Sequence, residues 1–476
     1  MKTVSQQEVT AHLKRQNRWW GESPLIDPLI ADFRPRDYLQ AVFGLVTDLT
    51  VRRAVVLLGP RRVGKTILIH HAIAELLRAG HPAQNIAYVA VDHPLLHGET
   101  LDSLVKLFDT EHPASGDGPR FLFFDEIQYL KDWERHLKAL VDARPDLRLL
   151  VSGSAAAALQ RKSRESGAGR FTDFLLPPLT FAEYIALTRN EGAIEALDGL
   201  HYLVKDIARL NALFVEYVNF GGYPELALSE TIRANPDRFI KSDIVDKVLL
   251  RDLPTLYGIQ DIQELNALFT QLAYNSGEEL SLEALAQRSG VAKQTISRYI
   301  EYLEAAFLVR RVFRVDRAGK RLQRERSFKV YLTNPAMRTG LFGDLGADHP
   351  DFGHLVETAM FAQRFHDNAR LHYARWKEAE VDMIELDRAF NPKSVTEIKW
   401  SDRVVAKPGE IEGVTRFCNA NKLTQAWVTT RTLIGTQEVA SVHIDFIPAA
   451  ALAYHLGIIA VQGRMAGFKT TIGTVA

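Results

Sequence analysis

An eight-residue segment near position 60 combines the residue types that bind phosphate. Gly59 and Gly64 enclose four residues, and Lys65 and Thr66 follow directly. Glycines let backbone N–H groups curl around phosphate oxygens, the lysine neutralises their charge, and the hydroxyl is a ligand for Mg²⁺. A glycine-rich turn that contains Lys and Thr by coincidence is the alternative. We expect ATP and Mg²⁺ to bind at the whole segment, which is Gly59, Pro60, Arg61, Arg62, Val63, Gly64, Lys65 and Thr66.

Two acidic residues follow an apolar run further along the chain. The run is Phe121–Phe124, and Asp125 and Glu126 come directly after it. Because ligands of a doubly wound sheet lie at the carboxyl ends of its strands, these carboxylates belong beside the phosphate-binding segment. We expect Asp125 to hold Mg²⁺ through water and Glu126 to act as the general base, which favours hydrolysis. The alternative is that both acids stabilise the N-terminus of a helix.

Hydroxyl and guanidinium groups that could assist hydrolysis are marked less clearly. Ser152 and Ser154 end the next apolar run, where a side chain that senses the γ-phosphate belongs, although Ser154 could equally cap a helix. Arg170 is the first candidate for an arginine finger, and a surface position is the alternative for it as for any single arginine. Its competitors are Arg61, Arg62, Arg161 and Arg164.

A third group of chemically active residues lies near the C-terminus. Residues two apart on a strand share a face, so Glu397 and Lys399 point the same way, and Asp382 on a paired strand can join them. Carboxylates can bind a divalent metal while a lysine positions the attacking water, an arrangement suited to phosphodiester cleavage. Glu357, on an upstream helical segment, could complete the set, whereas we expect Glu380 to be exposed. Ordinary ion pairs between strands explain the same pattern.

Residues 281–314 carry the pattern of two helices joined by a tight turn at Gly290, and a hairpin that turns near residues 316–319 follows. Residues 305–330 hold nine basic residues against two acidic ones, a charge pattern typical of nucleic-acid binding. A hairpin that only mediates contacts between domains is the alternative. We expect DNA to contact the polar face of the second helix, with Lys293, Gln294, Ser297 and Arg298, and the hairpin, with Arg317, Lys320 and Arg321.

The scaffold that must position these residues is visible in the apolar pattern. Four short apolar segments, at 54–58, 86–91, 121–124 and 149–152, alternate with helical segments such as Thr66–Arg78. Strands that are apolar on both faces predict a parallel sheet covered by helices, and therefore an α/β doubly wound fold. We divide the chain into a helical lead (1–40), in which Trp19 and Trp20 serve packing, a nucleotide-binding core (41–180), a mostly helical region (181–275), a winged helix (276–332) and a mixed α/β end (333–476).

Composition excludes several classes of protein. The chain has 476 residues, of which 46% are hydrophobic and 24% charged, so it can build several cores. A single cysteine, Cys418, excludes a disulfide framework within the chain and a cysteine-rich zinc site. No signal peptide or membrane-spanning run is visible, and we expect a cytoplasmic protein without a membrane partner. The balance of 58 basic and 58 acidic residues over the whole chain hides the local excess of basic residues in 305–330. A homo-oligomer is one assembly that the sequence allows.

With these motifs assembled, the chain resembles a large family of bacterial and archaeal AAA-type ATP-binding proteins. Their ATPase domain relates to the archaeal and STAND-like P-loop ATPases, and their C-terminal domain is similar to the PD-(D/E)xK nucleases. The shared motifs are Asn17–Trp20, 59–66, 121–128, 152–154, 169–170 before 176–181, 220–225, 251–253, 329–332, Glu357, 380–382 and 397–399.

The resemblance implies ATP binding, a helical lid, a winged helix and a C-terminal domain like that of restriction endonucleases. It assigns Glu357, Asp382, Glu397 and Lys399 to the nuclease positions, and it shows Asn334 where the family usually has Asp. Family membership does not establish cleavage, because function lies in the site and not in the fold. The C-terminal domain could therefore bind DNA or protein without cutting it, and a transcriptional regulator that uses the winged helix alone is a further alternative.

Overall fold

A computed structural model describes residues 5–21, 25–113, 118–153, 169–196, 202–320, 327–367, 369–376 and 379–469 of the chain. These residues fall into two compact units that divide after Pro177, and the second unit runs from Pro178 to Gly467. The first unit holds the phosphate-binding segment, and the second holds the C-terminal carboxylates and the basic hairpin.

A five-stranded parallel sheet forms the centre of the first unit. Its strands lie in the order β2-β3-β4-β1-β5, and β1, β3 and β4 are buried along their whole length. Helices on both faces explain this burial, so the predicted doubly wound parallel sheet is confirmed for this part of the chain. The strands are β1 (Ala54–Leu58), β2 (Ile86–Ala90), β3 (Arg120–Asp125), β4 (Leu147–Gly153) and β5 (Phe171–Leu175).

Six α-helices of the described residues accompany this sheet. Side-chain caps begin three of them: Ser5 and Thr100 each accept a hydrogen bond from the backbone N–H three residues later, and Asp27 accepts one from the N–H of Leu29. The helix that follows the phosphate-binding segment begins at Lys65, one residue before the predicted start. The helices are α1 (Gln6–Gln16), α2 (Pro28–Ala31), α3 (Leu39–Thr47), α4 (Lys65–Arg78), α5 (Leu101–Glu111) and α6 (Trp133–Ala143).

The second unit begins with a helical region. Two π-helical segments, Arg238–Val245 and Val248–Asp252, interrupt its α-helices. Among the helices that the structure describes, none is long and apolar enough to cross a membrane. The α-helices are α7 (Phe181–Leu187), α8 (Ile207–Phe220), α9 (Pro224–Leu228), α10 (Glu230–Arg233), α11 (Leu253–Tyr257), α12 (Ile262–Tyr274), α13 (Leu282–Ser289), α14 (Lys293–Ala305), α15 (Ala336–Phe342), α16 (Phe352–Arg364), α17 (Arg403–Ala406), α18 (Glu412–Ala420) and α19 (Ala449–Lys469).

A nine-stranded mixed sheet forms the rest of the second unit, in the order β15-β16-β14-β13-β12-β11-β9-β10-β8. Strand β9 of the basic hairpin pairs with β10 on one side and, in parallel, with β11 on the other. The hairpin is therefore continuous with the sheet that carries the C-terminal carboxylates. The strands are β8 (Glu279–Ser281), β9 (Val309–Val315), β10 (Ser327–Leu332), β11 (Arg370–Trp376), β12 (Ala379–Leu386), β13 (Pro392–Glu397), β14 (Gln425–Thr430), β15 (Gly435–Val439) and β16 (Val442–Pro448), and a separate hairpin joins β6 (Ile194–Ala196) to β7 (Tyr202–Val204).

Asn334 has a structural position in this unit. Its side-chain oxygen accepts a hydrogen bond of 3.0 Å from the backbone N–H of Ala336, at the start of α15. The same side chain packs so closely on Gly222 that any β-carbon there would overlap it. Because an Asp carboxylate can accept the same hydrogen bond, the departure from the family pattern keeps this contact at the start of α15.

Candidate functional site

The phosphate-binding segment links the end of β1 to the start of α4. Gly59 needs to be glycine because a β-carbon there would overlap the carbonyl oxygen of Leu176, at the end of β5. Gly64 has a φ of 92°, a left-handed conformation that favours glycine, and it caps α4. The backbone therefore turns tightly at both glycines, and the segment leads directly into the N-terminus of α4, whose backbone N–H groups can bind phosphate.

Lys65 and Arg36 hold the segment from two sides. The Lys65 side chain is buried, and its Nζ donates to the carbonyl oxygens of Gly59, at 3.0 Å, and Pro60, at 2.7 Å. Arg36, which no sequence motif marked, donates to the carbonyl oxygens of Val63, at 2.8 Å, and of Pro177, at 3.1 Å. Of the other two predicted basic residues, Arg61 is half-buried and Arg62 is exposed, with a φ of 63°.

Asp125 lies at the centre of the candidate nucleotide site. Its Oδ2 accepts hydrogen bonds from Thr66 Oγ1, at 2.6 Å, and from the Tyr88 hydroxyl, at 3.0 Å, and its Oδ1 accepts one from Ser152 Oγ. Strand β4 lies next to β3, which is why Ser152 on β4 reaches Asp125 at the end of β3. A hydroxyl beside a carboxylate is an oxygen donor set that suits Mg²⁺, so these residues fit the predicted ion.

Glu126 and Ser152 occupy neighbouring positions at this sheet edge. Glu126 has a φ of 58°, its backbone N–H lies 3.4 Å from Ser152 Oγ, and Gln128 donates to its carboxylate. Ser152 is fully buried, and its hydroxyl donates a hydrogen bond to Asp125. Ser154 lies outside the described residues. The predicted base is therefore beside Asp125, and the predicted sensor is one of the groups that hold Asp125 in place.

The structure does not bring Arg170 to the nucleotide site of its own chain. The residue precedes β5 at the end where Ala54 begins β1, and the phosphate-binding segment leaves the other end of β1. Four residues of strand separate these ends, roughly 13 Å at about 3.3 Å per residue. The guanidinium of Arg170 pairs with Asp142 at 2.7 Å, and the competitors Arg161 and Arg164 lie outside the described residues.

The C-terminal residues Asp382, Glu397 and Lys399 do converge. Strands β12 and β13 pair in the register Met383 to Thr396, which sets Asp382 opposite Glu397. Lys399 Nζ lies 2.6 Å from Glu397 Oε1 and 3.7 Å from Asp382 Oδ2. Among the described residues, none donates a hydrogen bond to Glu397 Oε2, although that oxygen is buried. The cluster therefore holds one carboxylate oxygen that a cation could bind.

Glu357 joins this cluster through two residues of β10. Its Oε1 accepts from Lys329 Nζ, at 2.9 Å, and from the Tyr331 hydroxyl, at 2.6 Å. Lys329 also lies 2.6 Å from Glu380. Glu380, which we expected to be exposed, is half-buried, because the residue lies within β12 and pairs with a buried lysine. We missed Lys329 and Tyr331 as site residues, although both belong to the shared motif 329–332.

Burial and charge perturb the acids of this cluster. Burial, followed by the charge of Asp382, raises the pKa of Glu397 from 4.5 to about 8. Burial also raises the pKa of Glu357, against the opposing effect of Lys329. The pKa of Lys399 is raised because Asp382 and Glu397 together outweigh its burial. Within the part of the chain that the structure describes, no three His, Cys, Asp or Glu side chains are grouped as ligands for a metal.

The predicted DNA-contacting residues differ in their surroundings. Gln294 and Arg298 are exposed on α14, whereas Ser297 faces Glu301 and Lys293 pairs with Glu283. On the hairpin, Arg317 and Lys320 are exposed, and Arg321 lies outside the described residues. The turn between them packs on neighbouring structure, because Asn421 donates to the Arg317 carbonyl and Pro392 lies against Gly319.

Internal ion pairs reduce the positive charge that the hairpin presents. Arg311 donates two hydrogen bonds to the Glu304 carboxylate, at 2.9 and 2.6 Å, and Lys329 is buried among acids. Arg314 lies 3.8 Å from Glu279. Three of the nine basic residues that we counted are therefore neutralised within the fold, and Arg324 and Arg326 lie outside the described residues.

Comparison with known families finds two matches in the chain. Residues 51–185 match an AAA domain, and residues 211–348 match a domain of unknown function, DUF8612. The first match contains the phosphate-binding segment, Asp125 and Ser152. The chain therefore carries an AAA domain of the P-loop ATPase type.

Relatives that match about two thirds of this chain occur in a bacterium and an archaeon. An uncharacterized protein of Haemophilus influenzae is 24% identical over 69% of this chain and 78% of its own length. An uncharacterized protein of Methanocaldococcus jannaschii is 24% identical over 69% of this chain and 71% of its own length. Among solved structures, the replication initiator DnaA bound to AMPPCP and single-stranded DNA matches with 13% identity and a TM-score of 0.29, over 58% of this chain and 92% of that one.

Proposed function

We propose that the first unit binds ATP with Mg²⁺ and hydrolyses it. The observation that carries this proposal is the hydrogen-bonded group of Thr66, Asp125 and Ser152 beside the phosphate-binding segment. A carboxylate held by hydroxyl groups at the carboxyl end of a parallel sheet is suited to a nucleotide-bound cation.

Each residue of this site has a distinct role in the proposed reaction. The backbone of the segment from Gly59 to Gly64 binds the phosphates, and Lys65 exchanges its carbonyl partners for phosphate oxygens. Thr66 and Asp125 hold Mg²⁺, which when bound withdraws charge from the phosphates. Glu126 accepts a proton from the attacking water as its general base.

Turnover of ATP by four full-length proteins tests this proposal. We expect Lys65→Ala to lose nucleotide binding and Glu126→Gln to bind ATP with greatly reduced turnover. Lys106→Ala is the matched control, because this exposed lysine lies on α5. Equal turnover in wild type, Lys65→Ala and Glu126→Gln would show that the hydrolysis arises elsewhere.

We further propose that the second unit acts on DNA, by metal-dependent cleavage of phosphodiester bonds. The convergence of Asp382, Glu397 and Lys399, with a buried carboxylate oxygen left for a cation, supports this activity. Asp382 and Glu397 would bind the metal, whose charge polarises the phosphodiester when it is bound. Lys399 would orient the attacking water, and Glu357 would support the metal from α16.

One observation favours a second candidate, a nucleotide-gated module that binds DNA or protein without cutting it. Lys329 and Lys399 already lie against the carboxylates of the cluster, so the chain itself offsets part of their negative charge. An ion-paired cluster of this kind can hold a fold together without catalysing a reaction.

Cleavage of plasmid DNA separates the two candidates. Wild type, Asp382→Asn and Lys399→Ala are compared in Mg²⁺ and Mn²⁺, with and without ATP, and Lys393→Ala, on β13, is the control. Cleavage that is lost in Asp382→Asn and Lys399→Ala but kept in Lys393→Ala supports the nuclease. If no protein cleaves in any nucleotide state, the binding module is the better assignment.

A further inference from the structure

The outer edge of the parallel sheet is closed by side chains instead of a strand. Strand β2 lies at the edge, so its outward backbone groups need partners from elsewhere. The N-terminal segment 16–20 supplies them. The Ile86 carbonyl accepts from the indole N–H groups of Trp19 and Trp20, at 3.0 and 2.8 Å, and the Ala90 N–H donates to Gln16 at 3.2 Å.

Asn17 provides the central contact of this edge. Its side-chain oxygen accepts from the Tyr88 N–H at 2.6 Å, and its amide group donates to the Tyr88 carbonyl at 2.8 Å. Asn17 is fully buried, and it is anchored to α1 by a third hydrogen bond, to the Leu13 carbonyl at 2.8 Å. One side chain thus pairs with both backbone groups of Tyr88, as a neighbouring strand would.

The residue held in this way reaches the nucleotide site. The Tyr88 hydroxyl donates to Asp125 Oδ2 at 3.0 Å, the same oxygen that accepts from Thr66. The ring of Tyr88 is buried and lies 4.6 Å from that of His70, on the helix that follows the phosphate-binding segment. A tyrosine hydroxyl carries its proton at neutral pH, so it is a hydrogen-bond donor to this carboxylate.

A donor of this kind fixes the orientation of a carboxylate without neutralising its charge. Side chains that hydrogen-bond to a metal ligand fix the orientation of that ligand, and their removal lowers the affinity for the metal. A structural role alone would change the stability of the sheet and leave the metal requirement of the site unaltered.

We propose that Tyr88 is a positioning residue for the Mg²⁺-binding carboxylate of Asp125, and that Asn17 fixes Tyr88 for this role. Asn17 then acts on the nucleotide site through Tyr88, although the sequence predicted no function for it, whereas Trp20 contacts the sheet edge at Ile86. This inference rests on the proposed ATP hydrolysis and adds to it a dependence of Mg²⁺ affinity on Asn17.

The Mg²⁺ requirement of the full-length protein tests the inference. In Tyr88→Phe we expect the Mg²⁺ concentration for half-maximal ATP turnover to rise about 10- to 100-fold. Nucleotide affinity measured in EDTA with a fluorescent ATP analogue stays unchanged, because the phosphate-binding segment keeps its contacts. Asn17→Ala shifts the Mg²⁺ requirement in the same direction, and Tyr88→Phe alone decides the matter if Asn17→Ala does not fold.

Trp20→Phe is the matched control, because the Ile86 carbonyl keeps its hydrogen bond from Trp19 and the Asn17–Tyr88 contacts remain. It should retain the wild-type Mg²⁺ requirement. A Tyr88→Phe protein that turns over ATP with an unchanged Mg²⁺ requirement overturns the inference and leaves the proposed function intact. A wild-type protein that neither binds nor hydrolyses ATP with Mg²⁺ overturns both.

Discussion

Asp125 in the first unit and the acids of the second unit are held by different kinds of hydrogen-bond donor. Uncharged hydroxyl groups of Thr66, Tyr88 and Ser152 donate to Asp125. In the C-terminal cluster, the ammonium groups of Lys329 and Lys399 lie against the carboxylates, and the Tyr331 hydroxyl is a further donor to Glu357. Both arrangements fix carboxylates within a sheet, but only the second one offsets part of their negative charge.

This difference has consequences for both units. Hydroxyl donors orient a carboxylate and leave its negative charge for a cation that arrives with a ligand. Lysines satisfy the same oxygens permanently, and a buried ion pair is costly to break from one side only. We therefore expect substitutions at the first site to change activity, and substitutions at the second site to change stability as well.

The largest effect should follow the loss of the buried lysine. Lys329→Met leaves Glu357 and Glu380 without their ammonium partner, which costs about 3–5 kcal/mol in the free energy of unfolding. Cys418, the single cysteine of the chain, is buried in the second unit, so its labelling in urea reports the unfolding of that unit. Lys393→Met, at a largely exposed lysine, is the control and should change stability by less than about 0.5 kcal/mol.

A double variant sharpens this prediction. Adding Glu357→Gln to Lys329→Met removes one of the uncompensated charges, and we expect part of the lost stability to return. If Lys329→Met is as stable as wild type, the cluster is not held by its ion pairs, and the contrast between the two units disappears.

A smaller free-energy change is expected at the nucleotide site, where it raises the activation barrier and so lowers the rate of ATP turnover. Asp125→Asn keeps the shape of the side chain but removes the charge that Mg²⁺ needs, so ATP turnover should fall about 100-fold, roughly 2.7 kcal/mol. The exposed Asp92→Asn, just beyond β2, should keep the wild-type rate. A fully active Asp125→Asn protein would contradict the assignment of Asp125 as the charged partner of the metal.

The two units should also respond to pH with opposite signs. Burial lowers the pKa of His70 from 6.5 to about 4, so between these values the folded first unit binds fewer protons than the unfolded chain. This group therefore makes the first unit less stable as the pH falls from 6.5 to 4. Glu397, which faces Asp382, Lys399 and Glu357, has a pKa raised from 4.5 to about 8, so it makes the second unit more stable as the pH falls from 8 to 4.5.

Hydrogen exchange, referenced to the unfolded chain at each pH, measures these trends in β1–β4 and in β12–β13. Each group contributes at most about 1.4 kcal/mol per pH unit. In Glu397→Gln the rise in protection of β12–β13 at lower pH should be smaller, and in His70→Phe the loss of protection of β1–β4 should be smaller. Unchanged pH profiles in both variants would assign the trends to other groups.

The sequence predicted the first unit in more detail than the second, for a physical reason. Strand β1 was predicted with its observed bounds because all of its residues are apolar and buried on both faces of a parallel sheet. The phosphate-binding segment is a local motif, so its residues define it without help from the rest of the fold. Arg36 and Tyr88 escaped notice because only the sheet register and a distant loop bring them to the site.

In the second unit, pairing over long distances along the chain decides the outcome. Glu380 was expected to be exposed, because nothing near it in sequence reveals that β10 supplies Lys329 as its partner. The basic residues of 305–330 show the same effect. Arg311 and Lys329 are cations in the sequence, but the fold pairs Arg311 with Glu304 and Lys329 with acids of the C-terminal cluster.

The smallest expected effect therefore concerns DNA binding by the charges that the fold leaves exposed. Replacing Arg317 and Lys320 with Ala should lower the slope of log affinity against log salt for a double-stranded DNA oligonucleotide by about 2, one for each lost phosphate contact. The paired control is Arg311→Met with Glu304→Gln, which removes an internal ion pair and should leave the slope unchanged. Fluorescence anisotropy measured between about 50 and 200 mM salt gives both slopes. This range, about fourfold in salt, is wide enough to resolve a difference of about 2 between the slopes. Equal slopes in all three proteins would show that the hairpin is a structural part of the sheet, as its pairing with β11 allows, and that any DNA contact lies elsewhere in the chain.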